Sequence, residues 1–298
     1  MPTRRPKTAA APARKRPASP AKPARAARSE PPAPPAAPAP EAADTAASHS
    51  TLFVNSVAKA MRVLMAFDGS SREMSLSAIA RATGFDMSAA QRFTYTLAEL
   101  GFLRKDPESR TYQLSPKVFD LVYHYLAAND LIHRAGPYLL QLARETTETT
   151  NVTVLDGADI VFVVRIASQH LLNPTVIVGS RLPAYATAPG LAMLSRLAEE
   201  EVDSILARSE LKKHTLFTVA EPKAIRARLA QIRAAGYAHT EEEYFLGDIS
   251  TAAPILDAAG RPIGAINVAV DRPRWNADDE RRIAGLVMSA AAAISGRR

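Results

Sequence analysis

Between Phe53 and Leu114 short stretches of apolar periodicity alternate with glycine and serine stops, a rhythm that few folds accommodate. Val57, Ala60, Met61, Leu64 and Phe67 recur at spacings of three and four, which predicts a first helix that buries one stripe and ends at Gly69, Ser70 and Ser71. A second, short helix is expected from Leu76 to Thr83, capped by Ser75 or Ser77, with Leu76, Ile79 and Ala80 inward and Gly84 in the turn. The third is expected to open at Ser88, whose hydroxyl can cap it while Gln91 reaches back in a capping box, and to stop at Gly101. Two short helices joined through a glycine turn predict a helix-turn-helix. Phe102 to Arg104 and Thr111 to Leu114 then read as strands around a turn of Asp106, Pro107, Glu108 and Ser109. The module is therefore a winged helix-turn-helix with Arg104, Lys105 and Arg110 on the wing.

At about 100° per residue, Ala90, Phe93, Leu97 and Leu100 of the third helix share an inward side. Ser88, Gln91, Arg92 and Tyr95 fall opposite. Gln suits adenine, Arg suits guanine or phosphate, and hydroxyls suit either, so this face can read double-stranded DNA. The plain alternative is a solvated helix face; the basic wing beside it favours DNA.

A chain of 298 residues has room for about two domains, and no apolar run approaches the roughly 20 residues that span a bilayer. Residues 1–50 hold 12 of the 22 prolines and lack the apolar centre of a signal peptide, so they are expected to be a disordered tail. That tail carries +6 of the formal net charge of +7. Leu52 to Ser115 carries +2 and Pro116 onward −1. Basicity thus sits where phosphate would be met, although a merely solubilising extension has the same composition. The absence of cysteine excludes disulfides, thiolate zinc, iron-sulfur clusters and a cysteine nucleophile. The six histidines show no ligand spacing, and there is no GxxxxGK, GxSxG or GxGxxG motif, so neither metal nor cofactor is expected.

Pro116 to Thr147 reads as helical, with Val118, Leu121, Val122 and Tyr125 on one stripe and Leu139, Leu140 and Leu142 on another, broken at Gly136 and Pro137. Val152 to Leu155 and Ile160 to Ile166 form a hairpin around Asp156, Gly157, Ala158 and Asp159, with a third strand expected at Thr175 to Val178. Helices are expected from Pro189 to Leu197, Glu200 to Ala207, Pro222 to Ala235 and Asp278 to Ile294, and a second hairpin from Ile249 to Leu256 and Ile263 to Val270. Strand pairs separated by helices imply an α+β domain with one antiparallel sheet. The resulting division is a tail over 1–50, a DNA-binding module over 51–115, a linker helix over 116–130 and a second domain over 131–298.

Thr187, Ser250 and Asn267 stand beside predicted element ends, where polar groups either orient a small ligand or cap and cross-link the elements themselves. Arg165, isolated in an apolar strand, can neutralise a ligand carboxylate or pair with a structural acid. Glu241, Glu242 and Glu243 read as a solvated turn rather than as acid/base or metal chemistry.

The segments VNSVAKAMRVLMAF, LSAIARATGFDMSAAQRFTYTLAELGFL, YQLSPKVFDL, SRLPAYATAPGLAMLS, IRARLAQIRAAGY and STAAPILDAAGRPIGAINVAV together resemble the IclR family of bacterial transcription regulators. TLAELG and PAYAT look most like its subgroup governing protocatechuate and hydroxybenzoate catabolism. The resemblance implies a dimerising winged helix, a linker helix and a GAF-like effector-binding domain that can pair dimers into tetramers. It also implies an effector held by Thr187, Ala188 and Pro189, by Thr240 in the turn after the strand that follows Gly236 and Tyr237, and by Ser250 and Asn267. The chain departs from the family pattern at Pro189, where a small residue is usual, at Thr240, where an acid is common, and at Asp248-Ile249, where the subgroup carries Leu-Arg.

The function expected from these features is that of a cytoplasmic, dimeric or tetrameric regulator that binds a palindromic operator under control of a small organic or aromatic acid. No catalytic residue is expected. The alternative is a small-molecule enzyme with an incidental helix-turn-helix; the missing nucleophile, cofactor loop and metal cluster argue against it. A purely architectural DNA-binding protein leaves the second domain without a task.

Overall fold

The computed structural model describes residues 52–170, 175–276 and 278–296. The disordered tail expected over 1–50 lies outside the described residues. In the N-terminal module, α1 (Asn55–Met65), α2 (Leu76–Thr83) and α3 (Met87–Glu99) precede a hairpin of β1 (Leu103–Lys105) and β2 (Tyr112–Leu114). Ser75 caps α2 by accepting the Ala78 N–H, and Gly84 closes it at φ 70, the left-handed region that a side chain resists.

Three expectations for this module need correction. Asp86, not Ser88, caps α3, accepting the Ala89 N–H at 2.7 Å; the helix opens at Met87, which places Ser88 already inside its first turn. The inward line of α3 is Ala90, Thr94 and Leu97, while Phe93 is only half-buried and Leu100 is exposed. Spacings of four and three from Ala90 put Thr94 and Leu97 against the core, and Leu100 drifts off that line. Val63 of α1 and Phe67 just beyond its end carry the packing, whereas Val57 and Met61 of the expected buried stripe face outward, as do Met65 and, before the helix, Leu52 and Val54. The wing is as expected in kind. Lys105 pairs with Tyr112, Met74 adds a bridge to Tyr112, and Asp106 holds the turn by accepting the N–H groups of Glu108 and Ser109.

α4 (Val118–Ala127) has no fully buried residue; Leu126 packs against the core of the second domain, while Leu121, Val122 and Tyr125 of its apolar stripe are exposed. It ends at Ala128, and Asn129 caps α5 (Asp130–Thr146) by accepting the Leu131 N–H. The break expected at Gly136 and Pro137 is absent, because α5 runs through both. Pro137 and His133 are exposed, so the carbonyl that loses its donor to proline lies on the solvent side.

The second domain is one six-stranded antiparallel sheet in the order β5-β4-β3-β8-β7-β6. Its strands are β3 (Thr149–Asp156), β4 (Asp159–Ile166), β5 (Arg181–Pro183), β6 (Ala238–Glu241), β7 (Asp248–Leu256) and β8 (Pro262–Asp271). The third strand expected at Thr175 to Val178 is instead a turn; Gly179, at φ 91, redirects the chain so that Arg181–Pro183 pairs with β4. On one face, Ile266, Val268 and Val270 of β8 pack with Val152, Ile255, α5 and α9 (Asp279–Ile294). On the other, Ile160, Phe162, Ala252 and Ala265 meet α6 (Ala188–Leu194), α7 (Glu199–Arg208) and α8 (Pro222–Ala235). Alternation along each strand produces the two faces.

α6 begins one residue before its expected start and stops three short of its expected end, with Thr187 as its cap. It lies so close to the turn before it that a methyl group on Gly190 would collide with the Ala184 backbone. Gly190→Ala is expected to lower stability by about 1–3 kcal/mol, the usual cost of overpacking. Gly285→Ala, in α9 with open space around it, is expected to be neutral or slightly stabilising. Urea unfolding of the two variants checks both expectations, and equal stability would remove the close-approach argument.

Candidate functional site

The alternation that puts Ile266 and Val268 against α5 and α9 turns Asn267 and Ala269 of β8 to the opposite face, together with Asp248 and Ser250 of β7. These residues line a cavity bounded by the sheet, the start of α6 and the segment carrying Tyr244 and Phe245. Thr187, Ala188, Pro189, Thr240, Ser250 and Asn267 all line it. Thr240 does so from within β6 rather than from a turn after that strand, because the strand extends to Glu241.

A chain of hydrogen bonds crosses the cavity floor. Arg165 Nη1 donates to Asn151 Oδ1 at 2.9 Å, Asn151 Nδ2 donates to Asn267 Oδ1 at 3.2 Å, and Asn267 Nδ2 donates to Ser250 Oγ at 2.9 Å. Ser250 accepts in this chain, which leaves its own proton to be donated elsewhere. The structural reading of these residues holds, since Asn267 serves an internal bond and Thr187 caps α6, and the same residues face one cavity.

Arg165 reaches the cavity through a register shift. The pairing of β3 with β4 slips between Val152 and Thr153, so Thr153 faces Phe162 and Val152 faces Val164. The extra residue, Val163, turns to the α5 and α9 side. Phe162 and Arg165, three apart, consequently share the cavity face that simple alternation would deny one of them. Burial pulls the Arg165 guanidinium below its ordinary value, and Asp248 acts against this. Burial also pushes the Asp248 carboxyl up to about 7, with Arg165 pulling it down and Asp271 pushing it further up.

Two features escape sequence reasoning. The Tyr185 hydroxyl donates to the Lys212 carbonyl at 2.7 Å, accepts the Lys212 N–H at 3.0 Å and lies 3.0 Å from His214 Nε2. The His214 ring in turn packs on Tyr244 at 4.5 Å, which ties the 210–218 segment to the cavity wall. Burial raises the Tyr244 phenol to about 12 and lowers His214, with Lys212 lowering it further. The second feature corrects the reading of the acidic run: Glu243 is buried and held by both terminal nitrogens of Arg228, while Glu241 pairs with Arg272. Only an Arg two turns before Gly236 hinted at this.

In the N-terminal module, Ser88, Gln91, Arg92 and Tyr95 are all exposed on one side of α3, with Met87 beside them. Arg104, Lys105 and Arg110 are exposed on the wing; Lys105 leans over the Tyr112 ring, and Arg110 adopts φ 57 at the end of the turn. Lys59 and Arg62 of α1 lie over the Phe85 ring at the α2–α3 turn, cations that the sequence reading left out.

A winged helix-turn-helix followed by an α+β domain with a polar-floored cavity is the architecture of an effector-controlled DNA-binding regulator. Residues 56–107 match the IclR helix-turn-helix domain, and residues 123–296 match the bacterial transcriptional regulator IclR C-terminal domain. The chain belongs to the IclR family. It is 32% identical to the Pca regulon regulatory protein of Pseudomonas putida, over 80% of this chain and 82% of that one. It is 30% identical to the p-hydroxybenzoate hydroxylase transcriptional activator of Acinetobacter baylyi, over 72% and 80%. A solved transcriptional regulator from Rhodococcus sp. RHA1 superposes with a TM-score of 0.72 at 32% identity, over 81% of this chain and 97% of the other. Among the described residues, no helix is long and apolar enough to cross a membrane.

An acid raised on folding keeps its proton in the native state after the unfolded chain has lost it, so stability is fullest below the ordinary carboxylate range and declines as pH rises to about 7. Asp248→Asn is therefore expected to be more stable than the parent at pH 8, by an amount on the order of a few kcal/mol, and indistinguishable near pH 4. Unfolding free energies measured across that window test the assignment; equal stability at pH 8 contradicts it.

Proposed function

We propose that this chain is a cytoplasmic homodimeric regulator in which α3 and the wing read a palindromic operator, and in which a small organic or aromatic carboxylic acid in the cavity sets operator affinity. The proposed division is a DNA-binding module over 51–115, a linker helix over 116–130 and an effector domain over 131–298. The observation that carries this reading is the outward polar face of Ser88, Gln91, Arg92 and Tyr95 beside the basic wing residues. Such a face supplies bidentate donors for base edges and cations for phosphate.

Dimerisation is supported by apolar side chains left exposed among the described residues: Val54, Val57, Met61 and Met65 around α1, and Phe119, Leu121 and Tyr123 on α4. Faces of this kind mark contacts with another chain, and a second copy brings two recognition helices to one duplex. A dimer of dimers is the further assembly proposed for the effector domain. The carboxylic acid is supported by Arg165 on the cavity floor and by the donor chain beside it, and the Acinetobacter relative is named as the transcriptional activator for an enzyme of an aromatic carboxylic acid, p-hydroxybenzoate hydroxylase.

An operator selected from a random duplex library provides the test. Gln91→Ala and Arg92→Ala are each expected to weaken specific binding by about 1–3 kcal/mol while leaving the melting transition intact. Unchanged affinity in both rejects α3 as the reading helix. Effector and operator should also change each other's affinity by one common factor, worth about 1–3 kcal/mol, when measured at one salt concentration.

A further inference from the structure

Arg165 of β4 and Asp248 of β7 are the two charged groups among the described residues lining the cavity. They already interact electrostatically. A carboxylate arriving beside Arg165 makes two anions compete for one guanidinium in a space where water screens them poorly.

The neighbours of Asp248 offer it little relief. Its register partner on β8 is Asp271, a second acid that pushes its proton affinity up. On β6 and the segment after it stand Glu241, held by Arg272, and Glu242, which accepts the Gly247 N–H. The Tyr244 phenol is kept neutral by burial, with Tyr185 and Asp159 pushing it further up, and α6 with its cap contributes only Thr187, Ala188 and Pro189 to the lining. Among the described residues, Arg165 is thus the one cation lining the cavity to balance whatever anion is enclosed there.

We propose that the cavity takes up a monocarboxylate together with one proton, which Asp248 holds while Arg165 faces the ligand. This rests on the effector reading of the cavity and adds the ligand's charge class and a dependence on pH. The proton comes from solvent, no bond of the ligand changes, and the ligand stays anionic. Before and after binding, the enclosed set holds one cation and one anion. The cost of protonation is small near neutrality, because burial pushes the Asp248 carboxyl up to about 7. Once protonated, its carboxyl becomes an O–H donor to a polar group of the ligand.

The test is calorimetric titration of the full chain with 4-hydroxybenzoate, benzoate and propionate at pH 6, 7 and 8, each in phosphate and in Tris. For a probe that binds, the two buffers are expected to give different enthalpies at pH 8, corresponding to uptake of about one proton. Kd is expected to rise about tenfold per pH unit above 7 and to level off below it. Asp248→Asn is expected to bind with no proton uptake and no pH dependence between 6 and 8; should that variant not fold, the buffer comparison on the unsubstituted protein decides alone. Saturable binding with equal enthalpies in both buffers and a constant Kd overturns the proton coupling and leaves the effector reading standing. No saturable binding of any probe, at any pH, by either protein overturns the effector reading itself and the coupling with it.

Discussion

Three strands at the centre of the sheet hold a register that decides what every other element can do. Asn151 faces Asn267 across the β3–β8 pair, and Asn267 faces Ala252 across β8–β7. With that register, Ile266, Val268 and Val270 enter the core under α5 and α9, and Asn267 and Ala269 enter the cavity. A slip of one residue would exchange the two sets, driving amides into the core and exposing isoleucine and valine to the cavity. The two buried amides are tolerable because they bond to each other and onward to Arg165 and Ser250, so their polar atoms do not lie unpaired in an apolar layer.

The register shift between β3 and β4 supplies the cavity's charge. Without the extra residue at Val163, either Phe162 or Arg165 would be turned away, and the cavity would lose part of its apolar wall or its cation. Placing a guanidinium there lowers its proton affinity and is offset by the Asp248 carboxyl, itself raised by burial. The two groups are poised by the same enclosure, and a ligand that displaces water alters both.

The N-terminal module divides its apolar residues between two purposes. Val63, Phe67, Ile79 and Leu97 close its own core, while Val57, Met61 and Met65 stay on the surface, as does the apolar face of α4. Among the described residues, these side chains stay exposed. The module thus has a closed core of its own and a separate set of exposed apolar residues, the kind of surface on which the proposed dimer rests.

Local chemistry was legible from residues alone wherever neighbours in the chain decide the structure. Ser75 and Gly84 bounded α2, Pro222 and Gly236 bounded α8, and strands separated by short turns gave both hairpins of the second domain. The resemblance carried by the longer segments named residues that do line one cavity. Other outcomes depended on partners far away in sequence. The periodicity of α1 could not say which of two apolar faces meets the core, because both satisfy a helical spacing. Asp86 took the capping role from Ser88 because the turn at Gly84 set where the helix opens, and α5 kept Pro137 because the freed carbonyl lies on the solvent side. Glu243 was drawn inside by Arg228, and Arg165 was brought to the cavity by a shift in strand pairing. Sequence by itself determines where elements begin, end and alternate, since those follow from bonds and sterics within a few residues. Which face is buried, and which charges meet, was decided only by the tertiary structure, since desolvation and ion pairing depend on the groups that long-range packing brings together.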